Sequence, residues 1–237
     1  MAKGAAGTNR AGAGDGIAKR RGTIFIALMH PYLTRLGVRP EVQAFFAPYY
    51  ADGSRDLLFQ QGNYREHFGF AFHRIPSGGD FWPAGELNLS MVDRVFISNS
   101  AMDAIAYLHF FGHSLADWEN ILFISTGIKP TAIQLRWIRD KLAGKHLTLL
   151  FPADLPGNVT DLMVAAAYRR MPAAAFLAEK ERLKIFFRAK VYEFDQQTFT
   201  LSAFERASTY RFKVVTCKPK HGASFLEQLK AGAFPSH

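Results

Sequence analysis

Arg94-Val-Phe-Ile-Ser-Asn-Ser-Ala-Met-Asp-Ala-Ile-Ala-Tyr107 is the stretch whose reading decides the fold. Val95 to Ile97 is a short apolar run that stops in a polar turn. A helix opens at Ser100 to Asp103. An open α/β sheet is built of such strand-turn-helix units, and it meets ligands just outside the carboxyl ends of its strands. Two later apolar runs end in the same manner, near Phe151 and near Cys217. The functional question therefore falls on three strand ends.

Downstream, the alternation continues. Ile121 to Ile124 reads as a strand and Thr131 to Ala143 as a helix with Leu135, Ile138 and Leu142 on one face. His146 to Phe151 is the next strand and Val159 to Tyr168 the next helix. This spacing predicts a mostly parallel sheet with right-handed crossovers and flanking helices. Beyond it, Pro172 to Glu181 is predicted as a helix. Lys184 to Phe194 and Phe199 to Phe204 are predicted as a hairpin around Asp195-Gln-Gln-Thr198. The sheet is expected to resume at Phe212 to Cys217, followed by the loop Lys218 to Gly222 and a last helix from Ser224 to Lys230.

Upstream, Met1 to Gly22 is rich in Gly and Ala and carries Lys19-Arg20-Arg21, so a disordered basic tail is expected. Ile24, Leu28, Tyr32, Leu33 and Leu36 have helical spacing that stops at Gly37, and Pro40 opens a second helix over Glu41 to Phe46. That second helix is too apolar to serve as a DNA-reading helix. Ala51-Asp-Gly-Ser54 reads as a hairpin turn, Leu57 to Phe59 and Phe68 to Phe72 as strands, and Ser77-Gly-Gly-Asp80 as a turn before Phe81 and Trp82. The expected organisation is a tail over 1–22, a small α+β segment over 23–90 and an α/β domain over 91–237. That domain carries a helix and hairpin insertion at about 172–210.

Composition narrows the class. With 237 residues, 49% hydrophobic and 14% aromatic, the chain has ample material for a packed core. Its formal net charge of +9 favours polyanionic partners such as nucleic acid. The single cysteine, Cys217, excludes a disulfide framework and a thiolate zinc site. No apolar run is long enough to span a membrane, and the first residues lack a secretory pattern. A cytoplasmic location without membrane attachment is expected.

Order and spacing of the three strand ends resemble the Toprim fold of topoisomerases, primases and related nucleases. The resemblance extends upstream. Tyr32-Leu-Thr-Arg-Leu-Gly-Val38 and Gly69-Phe-Ala-Phe-His-Arg-Ile-Pro-Ser-Gly-Gly79 are similar to the segment preceding Toprim in primase-like proteins of bacterial mobile elements, of the Bacteroidetes type. It implies a Toprim-like sheet over most of the chain after the tail. It also implies a glutamate after the first strand for acid/base work, and an Asp-x-Asp after the third strand for Mg²⁺. Here the glutamate position holds Asn99. The Asp-x-Asp position holds Pro152 and Asp154, and the late acidic motif holds Ser224 and Leu226. An amide cannot exchange a proton near neutral pH, and a lone carboxylate leaves Mg²⁺ held mostly by water. The resemblance therefore implies a degenerate site of remnant positions Asn99, Asp103, Asp154 and Ser224, with Asp154 its one weak metal ligand.

Other groups near the strand ends have their own readings. Asp103 sits in a first helical turn, where a carboxylate caps N–H groups and is favoured by the dipole. Ser98, Ser100, Thr126, Lys129, Lys218 and Lys220 are candidate phosphate contacts. Phe186, Tyr192, Phe194 and their basic neighbours stack bases or, more simply, build a hairpin core. The expected function is a non-catalytic nucleic-acid-binding or accessory role in DNA processing, with DNA preferred to RNA. A protein partner or a second copy is a further expected contact. No cofactor is expected, and Mg²⁺ only if activity remains. Two alternatives stand: a magnesium-dependent phosphoryl-transfer enzyme rebuilt on Asp154, Asp103 and Glu227, and a protein-interaction module with no nucleic-acid role.

Overall fold

The computed structural model describes residues 29–53, 56–115, 117–178 and 182–233. The expected tail and the start of the first helix, up to Leu28, lie outside the described residues. Helix α1 (Pro31–Arg35) opens on His30, whose Nδ1 accepts from Tyr32 N at 3.2 Å. Gly37 then turns the chain at φ 75° into α2 (Pro40–Phe46), which buries Val42 and Phe46. A four-stranded antiparallel sheet follows, in the order β1 (Ala51–Asp52), β2 (Asp56–Gln61), β3 (Tyr64–Gly69), β4 (His73–Arg74). The expected strand over 68–72 is broken, because Gly69 N donates to Phe72 O (2.9 Å) and closes a turn that leaves Phe70 and Phe72 exposed.

The main part runs β5 (Trp82–Gly85), β6 (Arg94–Ser98), α3 (Ala101–Phe111), β7 (Ile121–Ser125), α4 (Ala132–Lys141), β8 (His146–Leu149) and α5 (Leu155–Tyr168). Then come β9 (Ala173–Ala178), β10 (Arg182–Phe187), β11 (Lys190–Asp195), α6 (Leu201–Ser208), β12 (Val215–Thr216) and α7 (Phe225–Ala233). The fold is α/β. Its five-stranded mixed sheet has the order β12-β8-β6-β7-β5, with β5 alone antiparallel. Pro83 is tolerated because β5 is an edge strand.

Strand alternation divides the core between the two faces. Phe96 and Phe123 pack with α2, α3, α7 and Trp82 on one side. Val95, Ile97, Leu122 and Leu149 pack with α4, α5 and the β10 residues Leu183, Ile185 and Phe187 on the other. Each fully buried side chain of this kind contributes about 1.5–3 kcal/mol. The first crossover helix thus lies on one face and the next two on the other. This reversal puts the topological switch point between β6 and β8.

Three expectations for the later chain are corrected. Of the helix expected over 172–181, the last three positions lie outside the described residues, and Ala173–Ala178 is a strand that pairs antiparallel with β10, with Ala175 opposite Ile185. Pairing with β10 overrides the helical preference of an alanine run. The hairpin turns at Arg188-Ala189 rather than at 195–198. Leu201–Ser208 is a helix, with Thr200 Oγ1 accepting from Ala203 N (3.1 Å) and Leu201 and Phe204 buried on one face. Of the strand expected over 212–217, only Val215 and Thr216 pair with β8. Among the described residues, no helix is long and apolar enough to cross a membrane.

Candidate functional site

The three strand ends lie side by side. Leu150 N donates to Ile97 O (2.7 Å), Cys217 N to Leu149 O (2.9 Å) and Ala153 N to Ala223 O (2.8 Å). The loops after β6, β8 and β12 therefore form one continuous edge across the switch point. A ligand of an α/β sheet is expected there.

The chain itself fills much of that edge. Ser100 caps α3, its Oγ accepting from Asp103 N (3.0 Å) and donating to Asp103 Oδ2 (2.6 Å). The next amides of the helix are met by Glu66, which reaches over from β3. Its Oε2 accepts from Ala101 N (2.6 Å), and its Oε1 accepts from Met102 N (3.2 Å) and contacts His73 Nε2 at 2.9 Å. A helix N-terminus draws anions through its free amides and its dipole. Here that seat is taken by a carboxylate with no solvent exposure. The sequence reading missed Glu66. Its signal is an acid two positions before Phe68, on the inward side of a strand.

Asp103 passes the arrangement on. Its Oδ1 accepts from Leu226 N (2.9 Å), so a residue of α3 caps α7. Burial raises its carboxyl above the ordinary range, against the lowering effect of the bonds from Ser100, Leu226 and Ser224. Capping, expected for Asp103 within its own helix, extends to a second helix.

The other expected site residues are placed as follows. Asn99 is half-buried, and its Oδ1 has no hydrogen-bond partner among the described residues. Asp154 is exposed and caps α5, accepting from Gly157 N (2.8 Å). Ser224 Oγ accepts from Glu227 N (3.2 Å) at the start of α7. Among the described residues, no three His, Cys, Asp or Glu side chains gather as a metal ion requires.

The hydroxyls read as phosphate contacts are turned inward. Ser98 and Thr126 are fully buried: Ser98 Oγ donates to Ser100 O (2.7 Å), and Thr126 N donates to Ser98 O (3.0 Å). Over the end of β7 lies the chain's own loop before β5. Ile128 N donates to Pro76 O (2.9 Å), and a Cβ on Gly127 would meet that oxygen at 2.5 Å. Gln134 Nε2 bridges Thr126 O (3.1 Å) and Asp80 O (3.2 Å), and Gln61 Nε2 reaches Ser125 Oγ (3.1 Å).

Of the lysines, Lys218 is committed internally. Its Nζ donates to Phe151 O (3.0 Å) and Pro152 O (2.9 Å) and meets Asp161 Oδ2 at 2.6 Å. Burial pushes the Asp161 carboxyl up to about 6, with the Lys218 ammonium working the other way. Lys129 and Lys220 remain exposed. No protein-family model matches the chain, no curated protein matches it, and no solved structure matches it.

Proposed function

We propose that the chain is a non-catalytic nucleic-acid-binding or accessory protein, built on a Toprim-like sheet and acting in DNA processing. One observation carries this reading: the carboxyl edge, where an α/β enzyme keeps its reacting groups, is occupied by the chain's own Glu66, Asp103 and Lys218 contacts. With Asn99, Pro152 and Ser224 in place of acids, proton exchange and Mg²⁺ binding there lack their groups. The surplus of 29 Lys and Arg over 20 Asp and Glu is then available to neutralise phosphates.

A second reading has one observation in its favour. Glu66 of β3, paired with His73, meets the amides of Ala101 and Met102 at the start of α3, two and three positions past Asn99. A carboxylate supplied by another strand is what a rebuilt phosphoryl-transfer site needs, although this one is shielded from solvent. One experiment separates the readings: binding of single- and double-stranded DNA to the full chain across a salt series, with and without Mg²⁺. The expected outcome is affinity falling steeply and linearly against log salt, with the DNA left intact. Magnesium-dependent nicking abolished by Asp154→Ala or Glu66→Gln would establish the enzyme reading. Absence of DNA binding even at low salt would leave neither.

A further inference from the structure

Away from the carboxyl edge, three arginines line a cleft between α4 and α5. Its volume is about 520 Å³, within the ~300–1,000 Å³ typical of ligand pockets. Leu135, Met163, Ala167 and Met171 give it an apolar lining, and Arg136, Arg139 and Arg170 bring three guanidiniums to it. Arg136 and Arg139 are three apart on α4 and so share a face.

One acid, Asp140, stands against these three cations, and Arg139 holds it in a two-pronged contact through Nε (2.8 Å) and Nη2 (3.0 Å). That hydrogen bonding holds the Asp140 carboxyl below its ordinary range, with Arg170 and Arg136 adding to the effect through space. Arg136 and Arg170 make no hydrogen bond or ion pair with their side chains among the described residues. Two guanidiniums are left over, and their planar forks match the oxygens of a phosphate.

The backbone gives independent support. The α5 helix ends in a Schellman motif, with Arg170 N donating to Ala167 O (2.9 Å) and Met171 N to Ala166 O (2.8 Å). Arg170 takes the left-handed position, φ 57°, which favours glycine. A cation for the helix end is already present in Arg169. An arginine at position 170 thus costs the fold something that helix termination does not need, and it brings a guanidinium to the cleft.

We propose that this cleft seats one nucleotide of a single-stranded nucleic acid, its phosphate between Arg136 and Arg170 and its base on the apolar lining. The inference rests on the nucleic-acid reading above and gives that reading a place. The aliphatic lining takes the base by apolar burial, and the arginines take the phosphate by charge; neither contact reads a base edge, so little sequence preference is expected.

The test uses the full chain and a short fluorescent oligodeoxythymidine, in a salt series followed by anisotropy. Arg170→Gly and Arg136→Gln are each expected to weaken binding about tenfold and to lower the salt slope by about one. Lys213→Gly is the matched control: it removes one exposed cation at φ 56°, outside the cleft lining, and is expected to change affinity about twofold or less. Because glycine suits the left-handed position, Arg170→Gly is expected to melt at or above the wild-type temperature, which separates lost binding from lost folding. If the wild type binds and the two cleft variants weaken it no more than Lys213→Gly does, the cleft is overturned and the nucleic-acid reading stands. If the wild type shows no salt-dependent binding, both are overturned.

Discussion

At the scale of single residues, the edge of the sheet is governed by buried carboxylates. Glu66 accepts from two backbone amides and has no solvent exposure, so its loss strands the first turn of α3. Glu66→Ala is expected to cost about 2–4 kcal/mol and Glu66→Gln about 1–2 kcal/mol, read as a lower urea midpoint with an unchanged slope. Asp161 gives the opposite kind of signal. Its folded value, pushed up to about 6 by burial, stands above the ordinary 3.8 of an unfolded chain. The folded state therefore holds this proton more tightly. The resulting stabilisation is complete below pH ~4 and is lost as pH rises through ~6, a swing of about 3 kcal/mol. Asp161→Asn is expected to flatten the stability profile between those limits, and an unchanged profile would remove Asp161 as the cause. Such residues were partly legible. Asp103 declares itself as a cap by its place in a first turn, but its bond to Leu226 spans 123 positions and leaves no local trace. Glu66 depends on which face of β3 points inward, and that is set by strand register.

At the scale of elements, the alternation of β6, α3, β7, α4, β8 and α5 was readable because each has its own hydrophobic period. The section between α5 and β12 was not. Its alanine run pairs as a strand, and the aromatic spacing around Phe199 to Phe204 fits a short helix as well as a strand. The β10–β11 turn shows why local cues failed. Arg188 and Ala189 both have positive φ, 49° and 60°, a conformation that Asn-Gly signals and these residues do not. Replacing the pair by Asn-Gly is expected to stabilise the protein by about 0.5–1 kcal/mol in thermal or urea unfolding, since the two positions shed their left-handed penalty. A loss of stability would mean that the Arg188 contact over Tyr210, at 5.6 Å, outweighs the turn.

At the scale of the whole molecule, the sequence conveyed the layered α/β plan and the positive balance. It did not convey how the two parts lie on each other. The antiparallel sheet reaches the carboxyl edge through Gln61, Glu66 and the Pro76 loop, and β5 joins the main sheet directly beside β7. The conventional ligand position of the fold is thereby spent on joining the two parts. Positive charge is left to act on the α4–α5 side, where the cleft opens.

The relay of caps has a consequence for synthesis. Glu66 completes the start of α3, and Asp103 of α3 completes the start of α7, the last described helix. While a ribosome is still making the chain, Asp103 has its Ser100 contact but lacks the Leu226 amide, which is made 123 residues later. Contacts of such long sequence separation close late and slow folding. The edge can be sealed only once β12 and α7, the last described elements, have both been made.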